Sequence, residues 1–263
     1  MSVTVEVVEP DVVRLRCRSW RGALFGYDVS AYLVRGVLVD TGFPRARREF
    51  MRAVRSLAPR GVVVTHWHED HAGNAPALAA AGMPLLMDAR CEATLRRRPG
   101  IALYRSTIWG RPPRLVDPLR SFDVAPLQLL PLPGHTADHQ ALWDPERRIL
   151  AAGDLFLGVK VRVAHHEESH PALLDSLRRA AALEPRLLLD AHRGPLLNGP
   201  ALLRAKIAWI EDTVGEIHRL AASGIGAREI CHRVLGSEEL VGRVSFGEYS
   251  RRSFVEAALR EIP

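Results

Sequence analysis

Three imidazoles and a carboxylate fall within six residues in the run Thr65-His66-Trp67-His68-Glu69-Asp70-His71. Neutral imidazole and carboxylate are the donors that zinc and other borderline first-row metals favour. Four such groups packed together are costly to bury unless a cation lies among them. The pattern His-x-His-x-Asp-His therefore reads as a metal loop rather than a solvated polar stretch. Three more polar residues each close an apolar run: His135 after Leu130-Pro131-Leu132-Pro133-Gly134, Asp154 after Ile149-Leu150-Ala151-Ala152-Gly153, and His192 after Leu187-Leu188-Leu189-Asp190-Ala191. A single histidine after a strand is commonly structural. Four strand ends carrying His and Asp point to convergence on metal.

The elements that must position these groups are legible around them. Gly61-Val62-Val63-Val64-Thr65 is a β-branched run, the mark of a buried strand. Asn74 is placed to cap a helix over 75–81, with Pro76 in its first turn and Gly82 beyond it. The metal loop then lies at the carboxyl end of a strand, where open α/β sheets place their sites.

Val3–Val8 and Val12–Cys17 flank Glu9-Pro10-Asp11 and read as a hairpin; Val29–Val34 and Gly36–Asp40 form a second pair. Arg45–Leu57 and Pro171–Leu183 read as helices. Pro84–Met87, Leu127–Leu130, Ala141–Trp143, Ile149–Ala152 and Leu187–Leu189 read as strands. Residues 101–126 carry Pro112, Pro113, Pro118 and Pro126 and read as a long irregular connection, of the kind that often serves as a lid or wall. Tyr104, Trp109 and Arg111 are its candidates to line a pocket.

After Pro200, Leu203, Ile207, Ile210, Val214 and Ile217 recur at helical spacing and predict one long amphipathic helix, ended by Gly224 and Gly226. A short helix over 227–235 follows. Ser245-Phe246-Gly247-Glu248 has capping-box form and predicts a last helix to Arg260. The expected division is a catalytic domain over 1–200 with a helical extension over 201–263 packed on it.

At 263 residues the chain is long enough to bury one large core, and no apolar run approaches the ~18 residues of a membrane span. Its first residues, Met1-Ser2-Val3-Thr4-Val5-Glu6, read as a strand and lack the basic head and apolar core of an export signal, so a cytoplasmic location is expected. Cys17, Cys91 and Cys231 are odd in number and far apart, which argues for reduced, buried thiols. The net charge is +6, almost all from arginine. Such a field attracts anions, but no aromatic residues interleave with the arginines to stack bases. Solvated helix faces are favoured over a nucleic-acid surface. His165, His166 and His170 read as a solvated loop, with His166 kept as a candidate substrate contact. His139 reads as a supporting residue and His218 as solvent-facing.

The ordered set Asp40 (in Leu38-Val39-Asp40-Thr41-Gly42), His66-x-His68-x-Asp70-His71, His135, Asp154 and His192 resembles the five motifs of the metallo-β-lactamase-fold hydrolase superfamily over about residues 1–200. The resemblance implies an α/β fold, an αββα sandwich of two mixed β-sheets with outer helices. It implies two divalent metal ions: His66, His68 and His135 on the first, Asp70, His71 and His192 on the second, and Asp154 bridging. Zinc is the default, with iron, manganese, cobalt and nickel as alternatives. It also implies that Asp40 orients a ligand, and that a water shared by the metals attacks the substrate with Asp70 orienting it.

Departures narrow the reading. Arg193 stands between His192 and Gly194 where many relatives have His-Gly, and puts a charge beside the second metal as a candidate substrate contact. Leu157 stands where the acyl-homoserine lactonases carry tyrosine. The expected activity is hydrolysis of a small ester, thioester or lactone. Phosphodiester or RNA hydrolysis is the alternative, and a non-catalytic metal-binding regulator the weaker one. A small-molecule substrate is the expected partner, with no membrane and with self-association open.

Overall fold

The computed structural model describes residues 1–20, 28–98, 100–238 and 240–260. The chain divides into two compact units. The first comprises Met1–Pro131, Asp138–Asp154 and Arg186–Leu197; the second comprises Leu132–Ala137, Leu155–Pro185 and Asn198–Pro263. The residues of the expected extension over 201–263 thus share a unit with 155–185.

The first unit holds both large sheets. One runs in the order β1 (Ser2–Glu9), β2 (Val12–Arg18), β3 (Val29–Val34), β4 (Val37–Val39), β5 (Gly61–Val63), β6 (Leu85–Leu86). Its first four strands are antiparallel, and β4, β5 and β6 are parallel neighbours. The other contains β7 (Gln128–Pro131), β8 (Gln140–Asp144), β9 (Ile149–Gly153), β11 (Leu187–Asp190) and β12 (Gly194–Leu197), in the order β12-β11-β9-β8-β7. Here β9 and β11 run parallel and the remaining pairs antiparallel. The fold is mixed α/β with two mixed sheets and helices.

Alternation along the strands fixes the layers. Val12, Tyr32, Val34, Val37, Val39 and Val63 of the first sheet pack with Leu142, Ile149, Ala151, Leu187 and Leu189 of the second. The opposite face of the first sheet, with Leu15, Cys17, Leu38 and Val62, is covered by the helices α1 (Arg47–Leu57), α2 (Ala75–Ala80) and α3 (Ala89–Arg97) through Phe50, Val54, Leu78, Cys91 and Leu95. Cys17 and Cys91 are buried as expected, and Cys231 is partly so. Burial and the nearby Asp28 carboxylate push the Cys17 thiol up to about 12, so it stays neutral.

Local readings differ from the structure at several points. Asn74 stands at the N-cap position of α2 but makes no side-chain cap: its Nδ2 donates to the carbonyls of Thr41 (2.8 Å) and Phe43 (3.1 Å). The amide instead ties the loop after β4 to the metal loop. Residues 101–126 are not wholly irregular, since α4 (Leu103–Ile108) forms within them.

The second unit contains β10 (Ala164–His165) and α5 (His170–Ala182), then the helices α6 (Gly199–Ala222), α7 (Ala227–Val234) and α8 (Leu240–Val244). It closes with β13 (Tyr249–Ser250) and α9 (Arg251–Leu259). Its core gathers Ala164, Ile217, Leu220, Ile230, Leu235, Phe254, Val255 and Ala258. The last helix starts later than the capping box suggests, because Ser250, not Ser245, accepts from the N–H of Ser253. Ser245 is buried and closes the preceding turn by accepting from the N–H of Tyr249. His218 is not solvent-facing: its Nε2 lies 2.9 Å from the Ala258 carbonyl. Among the described residues, no helix is long and apolar enough to cross a membrane.

Candidate metal centre

Four chain segments of the first unit leave their strands at carboxyl ends and bring polar side chains together. Asp40 follows β4, the His66–His71 loop follows β5, Asp154 follows β9 and His192 follows β11. The pairs β4/β5 and β9/β11 are parallel neighbours, so in each pair the ends lie side by side. Backbone hydrogen bonds join the segments: Thr41 N–H to the His71 carbonyl (2.7 Å), Gln140 N–H to that of Thr65 (2.9 Å), Ser30 N–H to that of Ala191 (2.8 Å).

Two groups of donor atoms result. Ligand atoms of His66, His68 and Asp154 lie within 4.8 Å of one another, as do those of Asp70, His71 and His192. His66 Nε2 is 3.0 Å from His68 Nδ1. Asp154 Oδ1 stands 3.2 Å from His71 Nε2 and 3.4 Å from His192 Nε2, and Asp70 Oδ2 is 3.5 Å from His192 Nε2. One carboxylate thus belongs to both groups.

The supporting contacts set the imidazole tautomers. Asp40, buried, accepts on Oδ1 from Thr65 N–H (2.8 Å) and Thr65 Oγ1 (2.9 Å), while its Oδ2 lies 2.8 Å from His71 Nδ1. His192 Nδ1 lies 2.8 Å from the Asp28 carbonyl, and His66 Nδ1 is 3.0 Å from Thr65 Oγ1. With Nδ1–H donated to these oxygens, the Nε2 lone pairs of His71 and His192 turn inward. His139 Nε2 accepts from the Asp154 N–H at 3.2 Å. Gly153 makes that approach possible: its φ is +51°, and a Cβ there would sit 2.8 Å from His139 Nε2 and 2.9 Å from Thr65 Oγ1.

The electrostatics demand positive charge. Burial opposes a charged imidazole at His71, but the carboxylates of Asp154, Asp40 and Asp70 outweigh it and hold its pKa well above the ordinary value. His192 is pushed up to about 9, because Asp154 and Asp70 overcome its burial. The same attraction, overcoming burial, holds Asp154 well below the usual carboxylate range. His71 Nε2 is a buried polar atom that makes no well-aligned hydrogen bond, although Asp154 Oδ1 lies 3.2 Å away. An imidazole nitrogen so placed among carboxylates fits a divalent cation, which would supply the charge that protons otherwise bring.

Residues between the ligands also matter. Glu69, fully buried, receives Arg105 Nε (2.8 Å) and Nη2 (2.5 Å) from α4 in a two-point pair, and the Arg105 guanidinium lies 5.5 Å from the centre of the Trp67 ring. Burial raises the Glu69 pKa against the lowering effect of Arg105. Asp138 Oδ2 accepts from Trp67 N–H at 2.9 Å. Asp190 Oδ1 accepts from the N–H groups of His192 (2.9 Å) and Arg193 (2.7 Å), fixing the turn that carries His192. Sequence spacing singles out none of these three supports.

The other expected site residues are placed as follows. Arg193 is exposed beside His192, and Tyr104 is half-buried on α4. Trp109 is buried in the core with its ring 5.0 Å from that of Phe43. His135 and His166 belong to the second unit. There His135 Nδ1 lies 3.3 Å from Glu168 Oε2, and His166 is exposed with its ring 4.2 Å from that of His165. The stretch around His166 is not a solvated loop, because His165 and His170 are buried.

The sequence profile of the metallo-beta-lactamase superfamily matches residues 24–192. A beta-lactamase-like protein 2 homolog of Caenorhabditis elegans is 31% identical over 171 residues, covering 62% of this chain and 53% of that one. The lactamase-like protein nscB of Trichophyton rubrum is 29% identical, covering 80% and 59%. The chain spans about half the length of these curated relatives. Among solved structures, a metallo-beta-lactamase family protein from Thermus thermophilus aligns over 96% of this chain and 93% of its own, with a TM-score of 0.70 and 21% identity. The mono-zinc form of the metallo-beta-lactamase FIM-1 from Pseudomonas aeruginosa aligns over 79% and 94%, with a TM-score of 0.59 and 19% identity. At these identities the structural likeness is one of fold.

Proposed function

The chain belongs to the metallo-beta-lactamase superfamily, and from that premise we propose that it is a hydrolase dependent on two divalent cations, zinc by default, that cleaves a small carboxylic ester, thioester or lactone. The observation that carries the reading is the meeting of Asp70, His71, His192 and Asp154 around the buried Nε2 of His71. In this proposal His66, His68 and His135 hold one cation and Asp70, His71 and His192 the other, with Asp154 shared. Bound there, two such cations supply Lewis acidity that polarises a scissile carbonyl and makes water nucleophilic near neutral pH.

The chain's own groups do the rest. Asp70, whose side chain is 12% exposed, is placed to accept a hydrogen bond from the attacking water and to aim it. Asp40 and the Asp28 carbonyl hold Nδ1–H of His71 and His192, so Nε2 is the atom each ring would present to a cation. The Glu69–Arg105 pair and Asp138 hold the loop that carries four of the ligands.

The choice of a small acyl substrate rests on how charge is spent near the histidines. Arg105 is neutralised by Glu69. Arg16 pairs with Asp28, whose carbonyl supports His192, and Arg14 lies between Glu6 and Asp28. Among the described residues these three arginines are paired rather than open to a polyanion, and the exposed Arg193 is the proposed contact for a polar or anionic group of a small substrate. A panel of ester, thioester, lactone and phosphodiester substrates on metal-reconstituted protein tests this. Turnover of an acyl substrate is expected, and turnover confined to phosphodiesters would reject the acyl assignment.

A further inference from the structure

We propose that Glu168 is the positioning carboxylate for His135, and that the C-terminal helical region holds it in place. The inference rests on the proposed role of His135 as a metal ligand and assigns a task to the tail.

All the observations lie within the second unit. The turn bearing His135 is fixed on the start of α5: Ser169 N–H donates to the Gly134 carbonyl (2.9 Å) and Ser176 Oγ to that of Pro133 (2.6 Å). Gly134 has φ +143°, and a Cβ there would stand 2.4 Å from Leu173 Cα, so only glycine lets the turn approach so closely. Glu168 stands just before α5 with its Oε2 3.3 Å from His135 Nδ1. It is 8% exposed, and among the described residues His135 is its one side-chain partner.

A buried carboxyl group with a single side-chain donor is costly. The cost falls when that donor is an imidazole whose far nitrogen faces a cation, because the ring is then polarised and its N–H strengthened. The arrangement repeats what Asp40 does for His71 and the Asp28 carbonyl for His192: an oxygen on Nδ1 leaves Nε2 as the presented atom. Glu168 thus treats His135 as the chain treats the ligands of the second half-site.

The tail fixes the segment that carries Glu168. β10 pairs antiparallel with β13, setting His165 opposite Tyr249. His165 Nε2 is 3.3 Å from Glu248 Oε1, His170 Nε2 is 3.0 Å from the Phe254 carbonyl, and Arg260 donates to the His166 carbonyl at 3.2 Å. Residues 164–170 are therefore bonded to the tail on both sides of Glu168. The tail thus holds in place the carboxylate that supports His135.

The test uses the full chain with cobalt(II), whose visible spectrum reports ligand geometry independently of activity. Wild type, Glu168→Gln, Glu168→Ala and His165→Ala are titrated against a competing chelator, and their folding is checked by circular dichroism without metal. Wild type is expected to take up two equivalents. Glu168→Ala is expected to bind one of them roughly 10–100-fold more weakly, with an altered cobalt spectrum, and His165→Ala to shift in the same direction by less. Glu168→Gln keeps an acceptor for Nδ1–H and is expected to recover most of the affinity while still shifting the spectrum. A folded Glu168→Ala protein with wild-type affinity and spectrum overturns the inference and leaves the proposed function standing. Should Glu168→Ala not fold, an unchanged affinity and spectrum in Glu168→Gln overturns it equally. A wild type that takes up no metal overturns the proposed function and this inference with it.

Discussion

Replacing Asp40 with asparagine exchanges one oxygen for an amide nitrogen and reverses what His71 is able to do. In the wild type Asp40 accepts from Thr65 N–H at 2.8 Å, from Thr65 Oγ1 at 2.9 Å and, through Oδ2, from His71 Nδ1 at 2.8 Å. Asparagine offers one acceptor and one donor. With its oxygen kept on Thr65, its NH2 faces His71 Nδ1, and the ring must become an acceptor there. The ring then holds its proton on Nε2, 3.2 Å from Asp154 Oδ1, and loses the one that Asp40 kept on Nδ1.

The metal-free fold gives up one charge-assisted bond, Asp40 to His71, worth about 1.5–3 kcal/mol, and keeps the contact of Nε2 with Asp154. The backbone tolerates the change, since Asp40 has φ +66° and asparagine adopts that region readily. Metal binding must strip the Nε2 proton in either protein, and in the variant no acceptor remains to keep a proton on Nδ1 once Nε2 is bared. Removing the carboxylate behind a ligating histidine lowers affinity roughly 10–100-fold, or about 1.4–2.8 kcal/mol.

Alanine at the same position leaves three donors without an acceptor and strains φ, so it is expected to damage folding as well as metal binding. Chelator competition measures the affinity, and urea unfolding of the metal-free proteins measures the stability. An Asp40→Asn protein that holds both metals as tightly as wild type would refute the tautomer argument.

Three further outcomes follow from the same contacts. Arg105→Ala leaves Glu69 buried without its cation and is expected to cost about 3–5 kcal/mol in urea unfolding, whereas a Glu69→Gln/Arg105→Met double variant should recover most of that loss; equal losses in both would show the pair contributes only packing. Gly153→Ala is expected to destabilise by more than about 2 kcal/mol and to weaken metal binding, because its Cβ meets His139 and Thr65 at under 3 Å and φ is +51°; a wild-type melting curve would contradict this. His192 has a folded-state pKa raised to about 9 from 6.5, so its charged form stabilises the metal-free protein fully below about pH 6.5, and that contribution fades as pH rises through about 9. The melting temperature of metal-free protein should fall over that window, and a flat profile there would contradict the assignment.

What the sequence makes legible is what local spacing encodes. The His-x-His-x-Asp-His loop is visible because four ligands share one turn, and Asp154 and His192 because each closes an apolar strand. Asp40 is legible through its motif, and the structure shows the contacts it makes with Thr65 and His71. The supports beyond them are long-range and leave no periodicity. Arg105 sits 36 residues from Glu69, in a proline-rich stretch where a helix is not expected. Glu168 lies in a run of His and Glu that reads as solvated until β10 and β13 pair across the unit. Asn74 has the residue type and place of a helix cap, yet its amide bonds to the Thr41 and Phe43 carbonyls instead, since tertiary partners outcompete a local cap.

Two cations held by these histidines and aspartates are proposed to make the protein a hydrolase. Elemental analysis of protein purified without added metal, paired with acyl-ester hydrolysis before and after chelation and after zinc restoration, tests it most directly. The protein is expected to carry close to two metal equivalents per chain, to lose activity to the chelator and to regain it with zinc. A metal-free preparation that hydrolyses the ester undiminished would contradict it.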